Sequence, residues 1–146
     1  MKIKIVWIGK TKQPEIEALT QEYLKRLRHY ADLEAGAVKD EAALLKLCAR
    51  EARPRYALLL LDGSGKELSS EEFARWLDHF QQSNSSPLLF AVGPADGFTE
   101  EARKSAALVL SLGKMTLPHE LARVVLLEQL YRAFTILRRH PYHLGH

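Results

Sequence analysis

The apolar run Ala57-Leu58-Leu59-Leu60-Leu61, followed at once by Asp62-Gly63, decides the fold class of this chain. A second run, Leu88–Val92, is also apolar at nearly every position and leads into Gly93. Strands that are apolar throughout are typical of parallel sheets that are covered on both faces. Helical patterns separate the strand-like runs, so the alternation predicts an α/β domain with a mostly parallel sheet flanked by helices.

The remaining elements follow from the same patterns. Residues 3–8 and 106–110 are further apolar runs and predict strands, and Val38 with its neighbours predicts a weaker edge strand. Helical patterns lie near residues 14–30, 41–52, 70–82 and 99–104, and a final helix runs from His119 to about Arg138. Since no repeat or interdomain linker interrupts this order, residues 1–146 are expected to form a single domain.

Composition limits the class of protein. With 146 residues and 47% hydrophobic content the chain has enough apolar side chains for one core, and none of its apolar runs reaches the length of a membrane span. The N-terminus alternates like a strand and carries no signal-peptide cleavage site. The single cysteine, Cys48, lies in a helical pattern and is expected to be a buried, inert thiol. These features predict a cytoplasmic protein.

Charge permits an anionic partner without proving one. The net charge is +3, and lysines and arginines crowd the first thirty residues and the last helix. Basic surfaces of this kind attract nucleic-acid phosphates, although a merely solvated charged face is an equal alternative.

Several common signatures are absent. Gly9-Lys10-Thr11 lacks the earlier glycine of a phosphate-binding P-loop, and Gly63-Ser64-Gly65 lacks the third glycine of a dinucleotide fingerprint. No Gly-x-Ser-x-Gly nucleophile elbow is present. His140, His143 and His146 are evenly spaced, but Pro141 breaks any helix there and no cysteine or acid joins them, so no metal site is expected.

Three glycine-containing loops follow predicted strands, at residues 61–63, 92–97 and 112–117. Open α/β sheets bind ligands at the carboxyl ends of their strands, and glycine lets the backbone approach a ligand closely. Each glycine alone could serve only a tight turn, but three converging loops favour a ligand site. The last helix is apolar over more than one stripe, which predicts packing on the sheet and on a further surface such as a second subunit.

The C-terminal third carries a family resemblance. Met115-Thr-Leu-Pro-His119, Arg123-Val-Val, the segment from Glu128 to Phe134, and His140-Pro-Tyr-His143 resemble the large-subunit rRNA pseudouridine-N3 methyltransferases of the SPOUT superfamily. Ile5-Val-Trp-Ile-Gly-Lys10 and Glu22-Tyr-Leu-Lys-Arg26 match the same family, so the likeness covers the whole chain. The segment 31–54 matches poorly and is shorter than in other members.

The resemblance implies a C-terminal trefoil knot and S-adenosylmethionine held in a bent conformation by the knot loops. Carried over by position, the cofactor contacts are Leu61, Gly93, Leu112, Gly113, Lys114, Met115, Thr116 and Leu117. It also implies a homodimer with the site at the interface. One departure is Gly93-Pro94-Ala95-Asp96, where the family has a second glycine. Pro94 has no N–H, so any contact through that amide is lost.

The resemblance also places Glu128 and Tyr142 on the substrate side. Because N3 of a uracil ring must lose its proton for methylation, Glu128, His119 and His143 are candidate bases, and Tyr142 is a candidate to stack on or hydrogen-bond the target base. Alternatively, Glu128 only pairs with Arg132 one turn later and Tyr142 only covers a dimer seam. The expected catalytic residues are Glu128, Tyr142 and His143, and the expected rRNA contacts are Arg123, Arg132, Arg138 and Arg139.

The sequence thus predicts an S-adenosylmethionine-dependent enzyme that methylates N3 of a pseudouridine in 23S rRNA, on assembled ribosomes, without metal or membrane. Two alternatives stay open. The chain could methylate another RNA such as tRNA, or it could be a dimeric RNA-binding protein without turnover. Because no separate RNA-binding domain is visible, recognition of RNA shape by a small dimer is expected.

Overall fold

A computed structural model describes residues 1–94 and 96–144 as one α/β domain around a five-stranded sheet. The strand order is β2-β1-β4-β3-β5, and every pairing is parallel. The elements in chain order are β1 Lys2–Ile8, α1 Pro14–Leu27, β2 Asp32–Val38, α2 Glu41–Lys46, β3 Ala57–Glu67, α3 Ser70–Ser83, β4 Leu88–Val92, α4 Glu100–Ser105, β5 Leu108–Ser111 and α5 His119–Leu137. The predicted fold class is confirmed; the knot remains a prediction from the family.

The two faces of the sheet are covered by different helices. Ile3, Ile5 and Trp7 of β1 pack with α1, α3 and α5 in one apolar cluster, whereas Val6 joins α2 and α4 in the other. This alternation follows from the two-residue period of a strand. It explains why β3 and β4 are apolar at consecutive positions, since both of their faces are buried.

Several element boundaries differ from the predicted ones: α1 ends at Leu27, β5 is Leu108–Ser111, and three further differences are larger. The edge strand near Val38 is a full strand, and α2 ends at Lys46 instead of continuing to residue 52. β3 continues past Leu61 to Glu67 through an irregularity, because Leu61 and Lys66 both pair with Leu110 of β5. This interruption leaves Asp62 and Gly63 out of the ladder, which is the position where the sequence predicts a loop.

Helix α5 is held between α1 and α3 on the sheet. Leu126, Leu127, Leu130 and Ala133 are all fully buried in the larger cluster. Leu121 is 39% exposed and Val125 is half-buried, so part of the apolar surface of this helix stays uncovered in the single chain. Packing on the sheet is therefore observed, and packing on a second subunit stays a prediction.

The thiol of Cys48 is half-buried, and burial raises its pKa to about 11, with Arg55 opposing the shift. This agrees with the expected inert thiol, because the thiolate is the reactive form. In the part of the chain that the structure describes, no helix is long and apolar enough to cross a membrane.

We expect Ser69→Ala to lower the free energy of unfolding by about 1 kcal/mol. The Ser69 hydroxyl accepts from the Glu72 N–H at 3.0 Å, and the Glu72 carboxylate accepts from the Ser69 N–H at 2.8 Å, which closes a capping box at the start of α3. Urea denaturation measures the change, and Ser85→Ala in the exposed loop before β4 is the control. Equal stability of the two variants would contradict the assignment.

Candidate functional site

A cavity lies where β3 is interrupted after Leu61 and at the carboxyl ends of β4 and β5. It encloses about 340 Å³ and is lined by the three glycine-containing loops together with His119 and Ala122 of α5. The structure brings together on its wall every residue expected to contact the cofactor: Leu61, Gly93, Leu112, Gly113, Lys114, Met115, Thr116 and Leu117. Its size falls within the ordinary range of small-molecule sites, roughly 300–1,000 Å³.

Two positions in the cavity wall require glycine for different structural reasons. A Cβ on Gly93 would lie 2.7 Å from Cε2 of the buried Phe98 ring, so only glycine fits above that ring. Gly113 has φ +139°, which L side chains rarely adopt, while a Cβ there would meet no atom within 4 Å. Gly93 is thus required by packing beneath the loop, and Gly113 by backbone conformation.

Asp62 holds the cavity loops in place from below. One carboxylate oxygen accepts from the N–H and hydroxyl of Ser64 at 2.9 and 2.7 Å, and the other accepts from the Phe98 N–H at 3.1 Å. Burial alone would raise the pKa of Asp62, but these hydrogen bonds and the nearby Arg103 guanidinium outweigh it and lower the pKa. Asp62 therefore stays ionised and ties the interrupted part of β3 to the loop after β4.

A polar cluster lies farther along α5 and in the C-terminal tail. The Arg132 guanidinium donates to both carboxylate oxygens of Glu128, through Nη2 at 2.7 Å and Nε at 3.2 Å, and the Tyr142 hydroxyl donates to Glu128 Oε2 at 2.9 Å. Arg132 also lies over the ring of Tyr142, and Tyr131 meets that ring edge-on. The expected catalytic residues Glu128 and Tyr142 are therefore in direct contact.

His143 completes this cluster and connects it to α3. Arg132 Nη1 lies 3.0 Å from His143 Nδ1, and His143 Nε2 lies 2.7 Å from Glu71 Oε1. Because arginine can only donate and a carboxylate can only accept, Nδ1 accepts and Nε2–H donates, which fixes the neutral tautomer. The hydrogen bond from His143 lowers the pKa of Glu71.

The phenol of Tyr142 is suited to donate hydrogen bonds. Burial raises its pKa, and the hydrogen bond to Glu128 with the negative charge of that carboxylate raises it further. The hydroxyl therefore keeps its proton at neutral pH. The alternative for Glu128, an ion pair with Arg132 one turn later, is also present, so the two interpretations are not exclusive.

The cavity and the polar cluster are separate within one chain. Ala122 lines the cavity, and Glu128 follows six residues later, about 9 Å along the helix axis and on another side of the helix. None of Glu128, Tyr142 and His143 contributes to the cavity wall. One chain thus presents a cavity at the start of α5 and a hydrogen-bonded cluster of titratable side chains toward its end.

The arginines expected to contact rRNA have different environments. Arg138 and Arg139 are exposed, and Arg132 is committed to Glu128 and His143. Arg139 has φ +55° and ends α5, where the His140 N–H returns to the Thr135 carbonyl at 2.9 Å.

Arg123 corrects one expectation. Its side chain is 1% exposed, its guanidinium lies 3.9 Å from the ring centroid of Trp7, and it donates to the Thr11 hydroxyl at 2.8 Å. An arginine enclosed in this way cannot reach a phosphate on the surface, so the expected rRNA contact is wrong for Arg123. Arg123 is buried because it lies on the side of α5 that faces the core, and its charge alone does not indicate this position.

Several residues of both regions escaped the site prediction. The cavity wall also contains Asp62, Val92, Pro94 and Ser111. The first three lie in the predicted loops and Ser111 directly follows a predicted strand, so their positions could have been inferred from the sequence. Glu71 carries no such signal, because only the folded chain brings α3 to the tail. Ala95 and His146 lie outside the described residues. Among the residues that are described, no group of three or more His, Cys, Asp or Glu is placed to hold a metal ion.

Comparison with known proteins places this geometry in a family. A family model described as predicted SPOUT methyltransferase matches residues 1–143. The chain belongs to the SPOUT methyltransferase family. It is 56% identical over 146 residues to Ribosomal RNA large subunit methyltransferase H of Koribacter versatilis, with all of both chains covered. It is 43% identical over 152 residues to the protein of the same name from Geobacter sulfurreducens, covering 98% of this chain and 99% of the relative.

Solved structures agree with the SPOUT assignment at the level of the fold. A probable methyltransferase of Bordetella pertussis superposes with a TM-score of 0.58 at 9% identity, covering 90% of this chain and 95% of that one. A probable methylase family protein of Haemophilus influenzae gives 0.61 at 12% identity, covering 95% and 69%. At these identities the likeness shows a shared fold alone.

The cavity of this SPOUT methyltransferase suits a nucleoside-based methyl donor. Leu61, Leu112 and Leu117 in the cavity wall offer apolar side chains for a flat heterocycle. Gly113 lets the loop 112–117 turn in a conformation closed to other residues. The residues present therefore fit the group that the family implies.

We expect Asp62→Asn to lower the melting temperature at pH 7 and to converge with the wild type in acid. The folded pKa of Asp62 is lowered, so its ionised form contributes stability above the ordinary pKa of about 4 and loses it as pH falls through the folded value. Melting curves from pH 7 to pH 3 measure this, with the exposed Asp32→Asn as control. A constant difference at all pH values would contradict the prediction.

Proposed function

We propose that this chain transfers a methyl group from S-adenosylmethionine to N3 of a pseudouridine in large-subunit rRNA. The observation that carries the proposal is full-length identity of 56% to a relative whose name specifies large-subunit ribosomal RNA methylation. The geometry supports it, because the cavity residues and the polar cluster of α5 and the tail supply the two parts that such a reaction needs.

The cavity is the proposed cofactor site. Leu61, Gly93 and the loop 112–117 would hold the nucleoside portion, with Asp62 keeping the loops in register. When bound, S-adenosylmethionine supplies an electrophilic methyl group on a sulfonium sulfur. Methyl transfer forms a nitrogen–carbon bond and breaks the carbon–sulfur bond in line, so the protein must chiefly align the two reactants.

The polar cluster is the proposed site of proton removal from the target base. The N3 proton of the uracil ring must leave as the new bond forms, and Glu128 and His143 are the candidate acceptors. Glu128 keeps further lone pairs on its carboxylate, whereas His143 would accept the proton only after Arg132 releases its Nδ1. The Tyr142 hydroxyl, which donates to Glu128 at 2.9 Å, would donate to a uracil carbonyl once Glu128 is engaged by substrate. Arg132 keeps Glu128 and His143 in fixed positions through its three donor contacts.

A homodimer is the proposed active form. Within one chain the cavity and the polar cluster lie on different sides of α5, so a second copy is needed to bring a tail to a cavity. Exposed apolar side chains occur on the relevant surfaces: Leu121 is 39% exposed, and Met115 and Leu144 are almost fully exposed. An exposed apolar surface of this kind is typical of a protein contact.

We expect labelled methyl groups to pass from S-adenosylmethionine to ribosomes that lack this modification, at one pseudouridine of the large-subunit rRNA. Mapping the labelled nucleotide measures it, and naked rRNA fragments should be poor substrates. Label on tRNA instead, or cofactor binding without transfer to any RNA, would overturn the proposal in favour of another substrate or of a non-catalytic RNA-binding role.

We expect Tyr142→Phe to lower kcat by about 100-fold while the Kd for S-adenosylmethionine changes less than about twofold, since the lost hydroxyl acts on the substrate. Truncation after His140 should abolish transfer and also spare cofactor binding. The control is Tyr30→Phe, which keeps the ring stacked on Phe134 at 5.5 Å. A Tyr142→Phe enzyme as active as Tyr30→Phe would contradict this role.

A further inference from the structure

A second concavity lies at the same edge of the sheet as the cofactor cavity, toward β2, because Ala37 lines it. Strand β1 pairs with β4, so the segment after β1 emerges next to Gly93. This segment, Lys10 to Gln13, borders an open groove of about 520 Å³ with Trp7 at its floor. Lys10 and Lys12 are exposed along it, and Glu17 is the carboxylate in its lining.

Helix α5 fixes the shape of this groove. The Glu120 carboxylate is 7% exposed and accepts from the Lys12 N–H at 3.2 Å and the Gln13 N–H at 3.3 Å. Arg123, one turn later, donates to the Thr11 hydroxyl from behind the loop. His119 and Ala122, which neighbour these two residues in sequence, line the cofactor cavity. The basic loop and the cavity wall are therefore held by the same turn of α5.

A buried positive charge lies behind the groove. Arg123 has no carboxylate oxygen within 4 Å among the ion pairs of the described residues, and its Nε is the buried side-chain nitrogen there without a hydrogen-bond partner. Burial lowers the pKa of Arg123, with Glu120 and Glu17 opposing the shift, yet a guanidinium stays charged at neutral pH. A buried charge without an ion-pair partner costs stability, and the positive potential of Arg123 is not cancelled by a direct carboxylate contact.

We propose that the groove bordered by Lys10, Thr11 and Lys12 binds a phosphodiester segment of the RNA substrate at the same edge of the sheet as the cofactor cavity. The inference rests on the proposed function and adds to it a substrate-binding surface. Two exposed ammonium groups and the Thr11 hydroxyl offer donors to phosphate oxygens, and Arg123 adds positive potential from the floor. Lys10 and Lys12 are exposed along the groove, so their ammonium groups are accessible to a phosphate.

RNA backbone fits this groove better than other anions. The groove is open along its length and carries point charges and a hydroxyl, which suit a chain of phosphates and provide no pocket for a base. The methyl donor has its own cavity one strand away. Glu17 in the lining and Glu120 behind the loop weaken the attraction without cancelling it, since two surface lysines and one buried arginine outnumber these two carboxylates.

The test uses the dimeric full chain and compares Lys10→Ala/Lys12→Ala with Lys46→Ala/Lys104→Ala. Both double variants remove two exposed lysines, but Lys46 lies on α2 and Lys104 on α4, which cover the other face of the sheet. Filter binding to ribosomes at several salt concentrations gives the Kd and its salt slope, and calorimetry gives the Kd for S-adenosylmethionine. Lys10→Arg/Lys12→Arg is the charge-preserving variant.

We expect the groove variant to raise the Kd for ribosomes by about tenfold or more at 0.1 M salt and to reduce the salt slope by about two. The Kd for S-adenosylmethionine should stay the same, and both other double variants should bind ribosomes like the wild type. Equal ribosome affinity of the Lys10→Ala/Lys12→Ala and Lys46→Ala/Lys104→Ala variants would overturn the inference. If the wild type bound ribosomes but transferred no methyl group, the proposed function would be contradicted. The difference in ribosome affinity between the two double variants would still show whether the groove binds RNA.

Discussion

The packing of α5 on the sheet, between α1 and α3, positions every part of the candidate site. Leu126, Leu127, Leu130 and Ala133 bury one side of this helix completely, so its rotation and depth are fixed by apolar contacts. A cavity created at such positions costs about 2–5 kcal/mol for a leucine-to-alanine change. The first turn of the helix then lines the cavity, and its later turns carry Glu128 and Arg132. Small shifts of α5 would move both regions together.

Carboxylates hold the loops that the sheet leaves at its carboxyl edge. Glu120 accepts from the loop after β1. Asp62 accepts from Ser64 in the interrupted part of β3 and from Phe98 after β4, and Glu41 accepts from the Thr99 N–H at 2.9 Å. Ordered N–H groups outside regular structure need acceptors when they are shielded from water. These carboxylates therefore restrict the motion of the glycine-containing loops. A loop that is already ordered loses less conformational entropy when it binds a ligand.

Sequence patterns predicted the architecture because its cause is local. Leu58 to Leu61 and Leu88 to Val92 are apolar at each position since both sheet faces are covered, and Ser69 with Glu72 marks a helix start in any context. The loops of the cavity were also accessible, because parallel strands bring their carboxyl ends to one edge. The family resemblance supplied the chemistry that those patterns could not.

The features that the sequence did not predict depend on contacts between distant segments of the chain. Arg123 carries a charge that suggests the surface, yet Trp7 and Thr11, more than a hundred residues earlier, enclose it. Glu71 contacts His143 only because α3 packs beside α5. The continuation of β3 to Glu67 depends on pairing with β5, which no local propensity shows. Each of these features is a tertiary contact that overrides a local pattern.

Mixing two inactive variants tests most directly whether a cavity and a tail from different copies form the site. Gly113→Val disables the cavity, because a β-branched side chain cannot adopt φ +139°, and truncation after His140 removes the tail. In a random mixture half of the dimers are mixed and each has one complete site, so methyl transfer should recover to about a quarter of the wild-type rate. No recovery from a mixture shown to contain mixed dimers would contradict the composite site and place cavity and tail of one chain together.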